Sequence, residues 1–288
     1  MDRYFAGRVA VITGAGSGIG RALAVRLAGA GAQLALLDRN GPAAEATARE
    51  CRAAGARAWV QAIDVTDQEA LERCAAAAAA EFGGVGLICC AAGVIHTGTV
   101  LASGWDDTAR VVSVNLLGTM GTVTAFLPRL VASGGGHVIL CSSGFGLLAA
   151  ARYSAYSASK FGVRGYGEGL RMEMALSGHP VQVTCAYPGV VRTPIVRTGT
   201  FADGEDAAAT ADAFDRLART EPSRAAAIIL SRARRGKATA VVGPDARAAA
   251  VAVRALGAGY LRLAPLVARV AAHRARSGLR RPPPGGSS

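Results

Sequence analysis

The chain alternates short apolar runs with longer stretches rich in alanine and leucine. Seven runs have the length and aliphatic content of buried strands, at residues 9–13, 33–37, 58–63, 85–91, 137–141, 181–186 and 238–242. Helical patterns lie between them, at 19–30, 42–54, 68–82, 103–130, 156–177 and 223–235. We expect turns to break the segment 103–130. This alternation predicts an α/β fold with one doubly wound parallel sheet, flanked by helices and connected by right-handed crossovers.

The chain shows no internal repeat and no linker before its last fifth, so we predict one catalytic domain over residues 1–245. Residues 246–279 read as a basic amphipathic helical extension, and 280–288, RRPPPGGSS, have the composition of a disordered tail. Arginines recur in the extension at 247, 254, 262, 269 and 276, and glycines at 257 and 259 with Pro265 predict two short helices. This extension either packs its apolar side on the protein or rests weakly on an anionic membrane surface.

The net charge of +12 does not indicate a nucleic-acid partner, because the excess of basic residues is concentrated near one end of the chain. Residues 244–288 carry eight arginines against one aspartate, so most of the excess belongs to the extension. The six cysteines form no CxxC pair and no zinc-finger spacing, and we predict small buried side chains and no metal site. The N-terminus has early charges and no apolar core of a signal peptide, which predicts a cytoplasmic protein.

A glycine-rich turn, TGAGSGIG at 13–20, follows the first predicted strand and opens the first helix. Glycines at 14, 18 and 20 allow a tight turn and close approach of a pyrophosphate to a helix N-terminus, as in a Rossmann-type fold. The second strand ends at Asp38, where a carboxylate can accept the hydroxyls of an adenosine ribose and disfavour the 2′-phosphate of NADP. Arg39 could instead pair with that phosphate, so NAD is favoured and NADP stays open. Asp64 ends the third strand and is either an adenine contact or a turn carboxylate.

The strongest chemical motif is Tyr156-Ser-Ala-Ser-Lys160. Residues four apart share a helix face, so the ammonium lies beside the phenol and should lower its pKa. Tyr156 is therefore a candidate general acid/base. A lysine is informative in a chain with only two of them, the other being Lys237. Ser143, thirteen residues before Tyr156, follows a strand and could hold the substrate oxygen.

These motifs together resemble the short-chain dehydrogenase/reductase family: TGxxxGxG, an acidic end of the second strand, and Ser-x₁₂-Tyr-x₃-Lys. The resemblance covers about residues 5–245 and implies hydride transfer between a nicotinamide and a carbinol or carbonyl carbon. It implies that Asn115 in SVNLLG completes the catalytic set and holds a water that relays protons from Lys160. It also implies homodimers or homotetramers. One departure is CAAG at 90–93, where the family has NNAG, and this puts the rigidity of that loop in doubt.

The cofactor contacts expected from the turn, from the strand ends and from the resemblance fall on four parts of the chain. They are Gly14, Ser17, Gly18, Ile19 and Gly20; Asp38, Arg39, Asp64 and Val65; Ala91, Ala92, Gly93, Asn115, Tyr156 and Lys160; and Pro188, Gly189, Val191 and Thr193.

Substrate specificity is expected in residues 190–218, which read as a mobile lid with a short helix around Phe214 and Leu217. Phe145, Leu147 and Leu148 with Val94 and Ile95 predict an apolar pocket without a clamp for a substrate carboxylate. Arg152 or His96 could supply such a clamp, but we expect both at the surface. The favoured function is an NAD-linked dehydrogenase of a lipophilic secondary alcohol or its ketone. The alternatives are an NADP-linked carbonyl reductase and, from another class, a nucleotide-binding interaction protein without turnover.

Overall fold

Seven strands pair in parallel in the described part of the chain, residues 4–262 of a computed structural model. They are β1 (Val9–Thr13), β2 (Gln33–Asp38), β3 (Ala58–Ala62), β4 (Leu87–Cys90), β6 (Gly136–Cys141), β7 (Val181–Pro188) and β9 (Thr239–Val242). Their order across the sheet is β3-β2-β1-β4-β6-β7-β9. From β1 the chain adds β2 and then β3 on one side of the sheet. It then crosses to the other side of β1, where it adds β4, β6, β7 and β9 in that order. A crevice opens at the carboxyl ends of β1 and β4, where ligands bind in such sheets.

Helices cover both faces of the sheet. They are α1 (Gly18–Gly29), α2 (Gly41–Ala53), α3 (Gln68–Phe82), α4 (Trp105–Val112), α5 (Gly118–Ala132), α6 (Ser154–Leu176), α7 (Ala207–Leu217), α8 (Pro222–Arg234) and α9 (Pro244–Leu256). Two short strands, β5 (His96–Thr97) and β8 (Thr200–Phe201), form a separate parallel pair above the sheet.

The core consists of two apolar layers, one on each face. Alternate residues of β1 supply both: Ala10 and Ile12 pack with α1 and α8, whereas Val11 packs on the opposite face with α3, α5 and α6. Every residue of β1 and β4 is buried, as expected for central parallel strands covered on both sides. This two-sided burial explains why those runs read as continuously apolar in the sequence.

The predicted doubly wound sheet is confirmed, and the strand and helix positions agree closely. The predicted strand 85–91 is shorter in the structure, and 181–186 continues to Pro188. The β5–β8 pair was not predicted, because a two-residue strand leaves no periodic pattern to detect.

The predicted break in the segment 103–130 is a single π-helical turn, Ser113–Leu117, between α4 and α5. The stretch Trp105–Ala132 is long and apolar enough to cross a membrane, by length and composition alone. In this fold its apolar side covers the sheet, and Phe126 and Leu130 are fully buried in the core. The most apolar window of this stretch is 44% buried, so core packing accounts for part of its hydropathy.

Part of the predicted extension belongs to α9, which begins at Pro244 and ends before Gly257. Arg247 and Arg254 are exposed on this helix. The interpretations that concern Pro265, Arg269, Arg276 and the tail 280–288 fall outside the described residues.

His137, at the start of β6, is buried, and its imidazole makes one hydrogen bond among the described residues. The hydroxyl of Thr184 donates to the carbonyl of Lys237 at 2.6 Å, so it can only accept from His137 Nε2, 2.8 Å away. His137 is therefore the neutral Nε2–H tautomer. Its Nδ1 has no hydrogen-bond partner among the described residues. Burial, with Arg171 and Arg8 nearby, lowers the pKa of His137 to about 4.

This pKa predicts a loss of stability in mild acid. As the pH falls from 6.5 toward 4, the unfolded chain binds a proton that the folded protein rejects, so stability falls with pH across that window. Between pH 7 and pH 5 the loss should be about 2 kcal/mol. Urea denaturation at both pH values should show a smaller pH-dependent loss for His137→Gln than for the unaltered protein. His179→Gln, at an exposed histidine, is the control, and an equal loss in all three proteins would refute the assignment.

Candidate active site

The glycine-rich turn after β1 forms the base of the nucleotide crevice. Gly14 has a positive φ of 68°, and a Cβ there would lie 2.7 Å from the backbone nitrogen of Ala92. Glycine is therefore required at position 14 for two independent reasons. Gly18 has φ 51° at the first position of α1, close to the side chain of Thr193. Ser17 precedes the helix and makes no side-chain capping bond, which leaves the first helix amides available to an anion.

The loop after β4, CAAG at 90–93, is held through its backbone. Thr13 Oγ1 accepts from the amides of Ala91 and Ala92 at 3.2 and 3.3 Å. Asn115 then accepts from the amide of Val94 at 2.8 Å and donates to its carbonyl at 2.9 Å. Thr13 of β1 and Asn115 of the π turn thus hold the backbone of this loop, although the asparagines of the family motif are missing.

Asp38 lies at the crevice edge, at the end of β2. One carboxylate oxygen accepts from the amide of Gly16 and the other from that of Asn40, each at 2.8 Å. Asp38 therefore orders the glycine turn, and a carboxylate retains further lone pairs for a ribose. Arg39 is exposed beside it. Asp64 accepts both the amide and the hydroxyl of Thr66, and it also lines the crevice.

The crevice is a cavity of about 270 Å³. Predicted cofactor residues that line it are Gly14, Ser17, Gly18, Ile19, Asp38, Arg39, Asp64, Val65, Ala91, Ala92, Gly93 and Thr193. Pro188, Gly189 and Val191 line the adjoining cavity instead. Gly20 lies beneath the turn, where a Cβ would collide with the carbonyl of Gly14. Lining residues that were not predicted are Ile63, Val94, Val114, Pro194, Ile195 and Thr198; they are ordinary apolar or hydroxyl residues and only the fold identifies them.

A second cavity, of about 370 Å³, adjoins the first and contains the chemical groups. Ser143, Tyr156 and Lys160 all line it. Tyr156 and Lys160 lie in the first turns of α6, and Ser143 follows β6 as the cap of a short 3₁₀ turn, Gly144–Gly146. The i,i+4 spacing and the strand end therefore converge as the sequence predicted.

Burial dominates the protonation of this cluster. It raises the pKa of Tyr156 to about 12, although a hydrogen bond from Ser143 works in the opposite direction. It also lowers the pKa of Lys160 to about 8. Lys160 Nζ donates to the carbonyl of Cys141 at 3.0 Å and lies 5.6 Å from the centre of the Tyr156 ring. The expected lowering of the Tyr156 pKa by the adjacent cation is thus not what the structure shows, because desolvation of the phenolate is larger.

Asn115 is fully buried and lies beneath the cluster rather than in the cavity walls. Its amide nitrogen donates to Ser159 Oγ at 3.0 Å as well as to Val94. Asn115 therefore joins the π turn, the loop after β4 and the catalytic helix. Such π turns frequently occur at functional sites.

The lining of the second cavity is mostly apolar, and its polar residues are Ser142, Ser143, Tyr156, Lys160, Thr193 and Asp245. Of the predicted apolar residues, Ile95, Phe145, Leu148 and Phe214 line it. Leu147 packs in the core instead, and Leu217 is exposed. Asp245 at the start of α9 also lies in its wall, which the sequence did not predict. The sequence offered no signal for this contact, since α9 reaches the cavity only through the tertiary fold.

The predicted lid contains the expected short helix, α7, and is tied to the rest of the protein by β8. His96 in β5 is buried, contrary to the expected surface position. Its ring nitrogens contact Thr200 and Ser103 hydroxyls at 2.8 and 2.9 Å. Arg152 is half-exposed as expected and pairs with Glu205 of the lid.

The six cysteines are all buried and free. In residues 4–262 no cluster of histidine, cysteine or acidic side chains is arranged to hold a metal ion. Burial raises the pKa of Cys141, beside Lys160, to about 11. This thiol is therefore protonated at neutral pH and is not a thiolate nucleophile.

Comparison with known proteins agrees with this geometry. A family model described as short chain dehydrogenase matches residues 8–201. SadH of Mycobacterium tuberculosis, named as an oxidoreductase, is 45% identical over 260 residues, which cover 90% of this chain and 94% of SadH.

Two solved structures share the fold. A short-chain dehydrogenase/reductase of Burkholderia phymatum in complex with NAD has a TM-score of 0.77 and 27% identity, over 99% of both chains. A short-chain dehydrogenase of Mycobacterium paratuberculosis bound to NAD has a TM-score of 0.74 and 28% identity, over 85% of this chain and 99% of the other. The chain belongs to the short-chain dehydrogenase/reductase family of oxidoreductases.

Proposed function

We propose that the protein is an NAD-dependent dehydrogenase that interconverts a lipophilic secondary alcohol and its ketone. One observation carries the proposal: Ser143, Tyr156 and Lys160 face a single apolar cavity that opens onto the nucleotide crevice. An apolar cavity with few, convergent polar groups is typical of a site for a small hydrophobic substrate.

The crevice fits a dinucleotide on three counts. Gly14 leaves space where a Cβ would strike the loop at Ala92. The amides that begin α1 face a position suited to a pyrophosphate. Asp38 supplies a carboxylate at the far edge. When bound, NAD would supply the hydride acceptor.

The residues of the chain have distinct roles in this proposal. Tyr156 takes the hydroxyl proton of an alcohol, or returns it to a ketone oxygen, and Ser143 donates a hydrogen bond to that oxygen. Lys160 holds a positive charge near Tyr156 and binds the nicotinamide ribose, while Asn115 fixes the loop and holds a water on the proton path. Because burial raises the pKa of Tyr156, the phenol is protonated at neutral pH, which suits ketone reduction. Oxidation should gain rate as the pH rises.

Tyr156→Phe tests the chemical role. We expect kcat to fall by about 10²–10⁴-fold, because the variant has no proton to transfer. NAD affinity should stay within about twofold of the unaltered value, since Phe keeps the ring. Lys160→Arg should also lose activity, because a planar guanidinium cannot replace a compact ammonium. Both are measured by nicotinamide absorbance with a panel of secondary alcohols and by nucleotide fluorescence titration.

Tyr153→Phe is the matched control, because Tyr153 stacks on Phe145 near the site without contributing its hydroxyl to the cluster. Normal turnover by Tyr156→Phe would contradict the proposal. Failure of the unaltered protein to oxidise any alcohol or reduce any ketone would favour the non-catalytic, nucleotide-binding alternative.

Asp38 tests the choice of cofactor. Loss of a charged hydrogen bond is worth about 1.5–3 kcal/mol, so Asp38→Ala should bind NAD at least about tenfold more weakly. The ratio of NAD to NADP affinity should also fall, because exposed Arg39 is then free to pair with a 2′-phosphate. Asp38→Asn can still accept a hydrogen bond from the amide of Gly16. This variant therefore separates the effect of the lost charge from the effect of a less ordered glycine turn. A preference for NADP in the unaltered protein would instead support the carbonyl reductase.

A homodimer or homotetramer is part of the proposal. Leu117 on the π turn and Phe161 and Met172 on α6 are large apolar side chains with substantial exposure. The π turn and α6 are neighbouring elements, and exposed apolar side chains on neighbouring elements can mark a contact between subunits. Light scattering measures the mass in solution, and a monomer at all concentrations would contradict this part.

We also propose that this cytoplasmic protein contacts anionic membranes weakly through α9 and the residues that follow. Arg247, Arg254 and Arg262 are exposed there beside Val251 and Leu261. Basic and apolar groups on one surface complement an anionic lipid interface. The full chain should co-sediment with phosphatidylglycerol vesicles at low salt, and Arg247→Glu with Arg254→Glu should weaken this. Absence of binding by the unaltered chain at low salt would refute the contact.

A further inference from the structure

Residues 244–260, which we call the C-terminal arm, are attached at both ends to loops of the active site. At the start, Asp245 accepts a hydrogen bond from the amide of Val190 at 2.6 Å. At the end, the hydroxyl of Tyr260 accepts one from the amide of Ala149 at 3.2 Å. Val190 belongs to the loop after β7, and Ala149 to the loop that carries Ser143. The arm therefore connects the two loops across one side of the second cavity.

The side of α9 that faces the protein is made of small residues. Ala246 is buried, and Ala249, Ala250 and Val253 are half-buried, at the i, i+3, i+4, i+7 spacing of one helix face. Arg247, Ala248, Val251 and Arg254 are exposed on the other side. Of the inward residues, Ala246 and Ala249 line the second cavity and do not line the nucleotide crevice, within the described part of the chain.

The small size of these two alanines leaves room that larger side chains would fill. The cavity also contains Phe214 of α7 and Leu148, both large apolar groups. Ser143, Tyr156 and Lys160, to which we assign the chemistry, line the same cavity. A substrate bound with its oxygen at Tyr156 extends its apolar part into the remaining volume, and α9 forms part of the boundary of that volume.

We propose that Ala249 is a specificity-determining residue: α9 forms a wall of the substrate site, and the methyl side chain at position 249 sets how long an alkyl group the site admits. This proposal rests on the proposed alcohol dehydrogenase function. It assigns part of the substrate site to a segment that the sequence placed outside the catalytic domain.

Two variants of graded size test it in the full chain. Ala249→Val and Ala249→Phe should progressively lose kcat/KM for long 2-alkanols, by at least about tenfold for Phe, since an apolar pocket discriminates about tenfold or more per methylene group. The shortest 2-alkanols should retain kcat/KM within about threefold, and NAD affinity should not change. The matched control is Ala248→Phe, which adds the same ring on the exposed side of α9 and should leave the chain-length profile unaltered. Ala249→Val keeps the test valid if the Phe variant does not fold.

The readouts separate failure of this proposal from failure of the proposed function. If the unaltered protein oxidises no alcohol and reduces no ketone, the dehydrogenase function fails, and binding of 2-dodecanone followed by calorimetry tests the wall alone. Weaker binding by Ala249→Val and Ala249→Phe than by Ala248→Phe would then still support the wall. An identical chain-length profile, or identical ketone binding, in the position 249 variants and the unaltered protein would overturn it.

Discussion

The site depends on one contact between two parallel strands. Thr13 at the end of β1 accepts hydrogen bonds from the amides that follow β4, and Gly14 lies against the same backbone with no space for a side chain. This contact determines the width of the crevice where the order of strands reverses. The glycine turn, the loop that continues to Val94, and Asn115 are positioned relative to it. Because it is made by backbone and one small hydroxyl, the residues at 90–92 can be Cys-Ala-Ala without loss of the arrangement.

Tyr156 and Lys160 lie in an environment that disfavours their charged forms. Both side chains are almost fully buried. Desolvation raises the pKa of Tyr156 and lowers the pKa of Lys160, and both shifts favour the neutral form. The ammonium of Lys160 is compensated by the carbonyl of Cys141 and by the nearby ring of Tyr156. The pair is thus poised so that a small change in nearby charge has a large effect on proton transfer, which is the property expected of an acid/base site.

The sequence predicted the sheet, the crevice and the cluster of Ser143, Tyr156 and Lys160 because each has a local pattern. Buried runs, glycines at fixed offsets and the Tyr–Lys spacing are all encoded within a few residues. Asp245, Ala249 and buried His96 were not predicted, because an alanine or a histidine carries no information on which distant surface it will meet. The pKa of Tyr156 was expected to move in the wrong direction for the same reason: the sequence shows the neighbouring cation but not the burial. The roles assigned to the individual site residues, including the water at Asn115, stay predictions.

The β5–β8 pair divides the lid into two loops. Val191 bridges to Thr220 at the base, and Thr200 and Phe201 are fixed to His96 and Thr97 in the middle. Each of the two short loops has less chain entropy to lose on ordering than one long loop would have. Thr193 and Ile195 of the first loop line both cavities, whereas Phe214 of the second loop lines the second cavity and not the crevice. Insertions or substitutions between 202 and 217 can therefore change the second cavity while the loop beside the crevice keeps its register.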